Sequence, residues 1–173
     1  MSDESLRFGT SLQLWYDLVR DGEDRVRTRL PEMIESYLAF VLQRHQADAA
    51  IGKHVMALDW LGGQELAGRE RADAMRDVGD RCLLIAGMFP RLAERRNLQP
   101  DYYAALGRSA YAEVASATRA GYGELFAMLA EAFDAMLRVL GGLRPEPRLH
   151  VAPALVTSAD WDAFAHIAGG RRH

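Results

Sequence analysis

The sequence predicts an all-α fold, a single-domain bundle of about six to seven helices occupying residues 1–173. Three observations carry that expectation. Met75, Val78, Cys82, Ile85 and Phe89 recur at intervals of three or four residues, as do Tyr103, Leu106, Ala110, Val114 and Ala117. Residues 121–140 carry the clearest amphipathic pattern, through Leu125, Phe126, Leu129, Phe133, Met136, Leu137 and Leu140. No segment alternates with the two-residue period of a strand.

The elements follow in order. Residues 1–9 read as irregular. Residues 11–20 form an amphipathic helix with Leu12, Trp15, Tyr16 and Val19 on one side, and Asp21-Gly22 is expected to end it. A short aromatic helix near a terminus docks on its own core or crosses to a second subunit. Pro31 suits the first turn of the next helix, where its missing N–H would be unpaired anyway. That helix, 31–45, is apolar almost all round: Ile34, Leu38, Val41 and Leu42 make one face, and Tyr37 and Phe40 lie off it. Such a helix is central to a bundle or half in an interface.

Residues 48–61 predict a third helix through Ile51, Val55, Leu58 and Leu61, closed by Gly62-Gly63. Residues 65–80 are densely charged, marking a solvated helix surface that runs on into the apolar Cys82-Leu-Leu-Ile-Ala-Gly-Met-Phe. Pro90 stops or kinks that helix, since the residue before a proline is pushed out of helical geometry. Pro100 opens the helix 102–118, and Gly121 and Gly123 punctuate the start of the next, which Gly141-Gly142 is expected to end. Residues 143–153, with three prolines, read as an extended connector, and 157–168 as a short helix with Trp161, Phe164 and Ile167 behind a capping box. The helices of 31–140 supply the core.

Composition narrows the function classes. No run approaches the roughly 20 apolar residues of a membrane span, and the acidic, polar start lacks the plan of a signal peptide. A lone cysteine, Cys82, gives no internal disulfide, so the cytoplasm is the expected compartment. The net charge of −3 opposes generic nucleic-acid binding. Lys53 is the sole lysine among many arginines; with abundant alanine this fits a GC-rich bacterial genome.

Familiar chemistry is missing from the pattern. None of the five histidines follows a glutamate by three residues, as a di-iron bundle requires, and there is no His-Glu-x-x-His. The pairs Asp162/His166 and His45/Asp48 are each at most half of a metal site. Gly107-Arg-Ser-Ala-Tyr111 imitates a nucleophile elbow but lies within a helix and lacks the last glycine. No catalytic residue, metal or cofactor is assigned, and Cys82 reads as a small core hydrophobe.

The remaining candidates are binding residues. Asp80 and Arg81 interrupt the passage into the apolar run, and a buried charge needs a partner; Glu113 and Arg108 are the expected ones. Tyr102, Tyr103 and Tyr111 join Arg108 on one helix, combining contact area with polar tips as binding hot spots do. Trp15, Tyr37 and Phe40 are the expected interface residues. The leading expectation is a protein without chemistry of its own that binds another protein (a regulator, adaptor or anti-activator), with a homodimer as a further expectation. The alternative is a small-molecule pocket lined by Asp80, Arg81, Tyr103, Arg108 and Tyr111. A third reading, nucleic-acid contact through Arg91, Arg95 and Arg96, is weakened by Glu94 and by the absence of a recognition-helix pattern.

Overall fold

The computed structural model describes residues 2–46, 48 and 51–143, with side chains described from Ser11 onward. Its elements are α1 (Ser2–Val26), α2 (Glu32–His45), a 3-10 turn (Ile51–Lys53), α3 (Met56–Gln64), α4 (Gly68–Met88), α5 (Pro90–Arg95), α6 (Pro100–Ala117), α7 (Gly121–Glu131) and α8 (Phe133–Leu143). Among the described residues there is no strand, and the chain is all-α as its periodicity predicts. The expected connector beyond Leu143 and the expected helix 157–168 lie outside the described residues.

The chain forms two compact units, one from Met1–Gly52 with Val139–His173, the other from Lys53–Arg138. In the first, α1 packs on α2. Trp15 is buried and donates its indole N–H to Gln46 Oε1 at 3.0 Å. Around it Leu18, Val19, Ile34, Leu38, Val41 and Leu42 close the core.

In the second unit α4 is the central element, packed on α3, α5 and α6, and α6 packs in turn on α7. The stripe read from sequence on α4 is buried through Met75, Val78, Cys82 and Ile85, with Phe89 half-buried at the helix end. On α6, Tyr103, Ala110 and Val114 are buried, whereas Ala117 reaches solvent. Pro90 separates α4 from α5, and Pro100 is the first residue of α6.

The helix ends correct the sequence reading most. Residues 2–10 are helical, and α1 runs past Asp21-Gly22. A Cβ on Gly22 would lie 2.8 Å from the Val139 carbonyl oxygen and 2.9 Å from Leu143 Cδ2, so this glycine admits a close helix crossing. Gly142 answers it: its Cβ would lie 2.9 Å from Val26 Cγ1 and 3.0 Å from the Gly22 carbonyl oxygen. Gly22 is therefore no stop signal, and the described part of α8 runs one residue past Gly142 to Leu143. The end of α1 comes where Arg27 takes a φ of 53° and the Thr28 N–H donates to the Glu23 carbonyl at 3.1 Å. Gly62 and Gly63 likewise lie inside α3, with Gly63 packed against Met75 and Ala74. The expected 121–140 helix is divided at Ala132 into α7 and α8.

Candidate functional site

The third helix, expected over 48–61, is Met56–Gln64 and carries apolar residues on two sides. Met56 and Gly63 face inward, and with Trp60, half-buried between them, they define an i, i+4, i+7 stripe. Of the apolar positions read along this segment, Ile51 is buried, whereas Val55 is 48%, Leu58 64% and Leu61 59% exposed, and Leu66 just beyond the helix is 39% exposed. Gly62 falls within the same outer face, one turn from Leu58, and a Cβ there would meet nothing within 4 Å. Lys53, in the 3-10 turn before the helix, and Glu65, just after it, are both exposed.

The helix is held firmly in that orientation. Arg71 donates to Gln64 Oε1 at 2.5 Å and to Glu113 Oε2 at 2.7 Å, tying the end of α3 to α4 and α6. His54 Nδ1 lies 2.9 Å from Asp59 Oδ2, and Arg96 donates to the His54 carbonyl oxygen. An exposed contiguous apolar patch rimmed by charge is the usual signature of an interaction surface. A smaller one lies on α2, where Met33 (54% exposed), the half-buried Tyr37 and Phe40 (43%) form an i, i+4, i+7 stripe. The Tyr37 and Phe40 ring centroids are 6.5 Å apart.

The residues singled out on α4 and α6 are dispersed into separate contacts. Asp80 is fully buried and accepts a hydrogen bond from the Tyr111 hydroxyl at 2.7 Å. Tyr111 is itself buried, edge-on to Phe126 and Phe133 with centroids 5.4 and 5.6 Å away. The partners expected for Asp80 and Arg81 are engaged elsewhere. Glu113 meets Arg71, and Arg108, exposed, reaches Asp134 Oδ1 at 2.7 Å while lying over the Phe133 ring. Arg81 is half-buried. Tyr103 is buried, and Tyr102 stacks edge-on against it from an exposed position, with centroids 5.5 Å apart. Trp15, expected at an interface, is a core residue of its own unit.

A buried carboxyl pair went unnoticed in the sequence. Glu23 on α1 and Glu35 on α2 are both buried, with the Glu35 carboxyl near that of Glu23. The Leu30 N–H donates to Glu23 Oε1 at 2.6 Å, and the Tyr16 hydroxyl to Glu35 Oε2 at 2.9 Å. Burial, and secondarily the Glu35 carboxyl beside it, raise the Glu23 pKa above the ordinary carboxylate range, against the lowering effect of the Leu30 N–H and Arg29. Twelve positions apart in sequence, the two glutamates carry no spacing signal. Cys82 is buried, and desolvation pushes its thiol pKa up strongly.

His45 and Asp48 do meet, with Nδ1 and Oδ2 3.4 Å apart. Among the described residues no group of three or more His, Cys, Asp or Glu stands together as a metal site. Nor is any described helix long and apolar enough to cross a membrane. No protein-family model, curated protein or solved structure matches the chain.

Proposed function

We propose that this chain is a bacterial cytoplasmic regulator, adaptor or anti-activator that works by binding another protein molecule, and that the outer face of α3 is its binding surface. The reading rests on one observation: Val55, Leu58, Leu61 and Leu66 lie outward on a helix whose other face already fills the core. Completely burying a leucine or valine contributes roughly 1.5–3 kcal/mol. These four are 39 to 64% exposed, so covering them contributes on the order of 4 kcal/mol. Leaving them in water forgoes that contribution, and an opposing apolar surface recovers it. The half-buried and exposed aromatics of α2 offer a second, smaller contact area.

The pocket reading receives less support, because Asp80, Tyr103 and Tyr111 are buried, and Asp80 and Tyr111 satisfy each other. The arginine segment is likewise partly committed, since Arg96 holds the His54 carbonyl.

The test is photo-cross-linking in the native host, with Leu61→p-benzoylphenylalanine on the face and Ala105→p-benzoylphenylalanine, on an exposed part of α6, as control. A discrete protein adduct is expected from position 61, lost when Leu58→Glu is added, and absent from position 105. Equal background at both positions overturns the reading.

A further inference from the structure

The face on α3 has a property that an ordinary apolar patch lacks: its two halves complement each other. Lys53, positive, stands at the amino end and Glu65, negative, at the carboxyl end, both exposed. Between them Leu58, the most exposed aliphatic of the four, lies one helical turn from Gly62, a position with open space above it. A projecting side chain and a gap on one face are the two parts of a knob-and-hole contact. A twofold axis perpendicular to the helix and passing level with position 60 places Leu58 of one copy over Gly62 of the other, and the reverse. The same operation brings the Lys53 end of one copy to the Glu65 end of its partner. An isologous interface requires this kind of self-complementary patch, because every contact must occur twice.

We infer that the occupant of the α3 face is a second copy of this chain, packed antiparallel about a twofold axis, with Leu58 seated over Gly62 and Lys53 opposite Glu65 across the interface. The inference rests on the reading of the face as a binding surface and names its partner. Charge selects the orientation, since a parallel pairing would set Lys53 against Lys53 and Glu65 against Glu65. A standard interface buries about 800 Å² per partner. A helix of nine residues is only about 14 Å long, so the pairing is weak and reversible, with Kd on the order of 10 µM.

Three measurements on the full chain test it. Sedimentation velocity across concentrations bracketing that Kd is expected to give a monomer–dimer equilibrium. Gly62→Arg, whose Cβ meets nothing within 4 Å in its own chain, weakens association by about a hundredfold and leaves the circular dichroism spectrum unchanged. Lys53→Glu weakens it about tenfold through two symmetry-related repulsions, and Lys53→Glu combined with Glu65→Lys restores it. Zero-length carbodiimide coupling of a mixture of ordinary and ¹⁵N-labelled chains then yields a mixed-isotope Lys53–Glu65 peptide. A peptide carrying both isotopes can form only between two chains.

A monomer at every concentration, a dimer indifferent to Gly62→Arg, or a charge swap without rescue overturns the self-pairing. The face as a binding surface fails separately, on the cross-linking contrast between positions 61 and 105. An adduct at 61 to a different polypeptide, with a monomer in sedimentation, keeps the surface and overturns the second copy as its occupant.

Discussion

Replacing Gly107 by alanine isolates the packing that joins α4, α6 and α8 within the second unit. Intrinsic preference favours the change, because glycine inside a helix costs roughly 0.5–1 kcal/mol relative to alanine. The tertiary contact opposes it. A Cβ at 107 would lie 2.5 Å from Phe133 Cζ and 2.8 Å from Cys82 Cβ. Phe133 is fully buried and edge-on to Tyr111, so its ring has nowhere to retreat, and Cys82 Cβ moves only with its helix. Overpacking of this kind costs typically about 1–3 kcal/mol, or more where backbone must shift. The net expectation for Gly107→Ala is a loss of about 1–2 kcal/mol, seen as a fall in Tm of roughly 2–8 °C for a chain of this size. Gly62→Ala is the control, because the added methyl meets nothing. Measured at low protein concentration, it is expected to gain about 0.5–1 kcal/mol. Thermal and urea unfolding followed by far-ultraviolet circular dichroism read both. If the two variants shift stability in the same direction and by similar amounts, the close approach at Gly107 is refuted.

Two further outcomes follow from buried polar groups. Tyr111→Phe removes the hydroxyl that donates to the buried Asp80 and is expected to cost about 1.5–3 kcal/mol in urea unfolding; a double-mutant cycle with Asp80→Ala should return a coupling of similar size, and additive losses would contradict the contact. Because the folded-state pKa of Glu23 is raised above its unfolded value, the folded chain holds a proton that the unfolded chain releases. The stability linked to it is fully present below the ordinary glutamate pKa and is lost as pH rises through the raised value. Glu23→Gln should flatten that part of the stability–pH curve, as read by Tm from acid to mildly alkaline pH, and an unchanged curve would show that the pair does not bind the extra proton.

Much of the helical plan was legible in single stretches of sequence. Pro90 and Pro100 bound their helices because a proline acts on its immediate neighbours. The α4 stripe through Met75, Val78, Cys82 and Ile85 was read correctly because its charged opposite face leaves one way to bury it. Gly22 escaped the same method: it resembles a stop signal yet lies inside α1 at a close approach to α8, whereas Gly63 and Gly142 stand one residue before Gln64 and Leu143, where α3 and the described part of α8 end. A glycine reports that a Cβ is unwelcome, and its sequence neighbours do not say whether the backbone or a packed residue excludes it.

Asp80 shows where the binding residues escaped the sequence. Its need for a partner follows from burial in an apolar run, but Tyr111 is 31 positions away and competes with Glu113 and Arg108 on the same helix. Only the rotation of α6 against α4 selects the tyrosine, leaving Glu113 to Arg71 and Arg108 to Asp134. Glu23 and Glu35 were invisible for a related reason, as each is an ordinary helix residue until α1 and α2 pack.

By itself the sequence determined the all-α class, most helix positions and the buried face of α4, because helical periodicity is set by residues three and four apart. The tertiary structure decided which side of α3 is the outside. That helix carries Val55, Leu58 and Leu61 on one side and Met56, Trp60 and Gly63 on the other, and two apolar stripes leave its rotation undetermined from within. Gly63 favours the observed rotation by letting Met75 and Ala74 of α4 pack closely against it. Arg71 then fixes the end of the helix, and the remaining leucines are left to face outward.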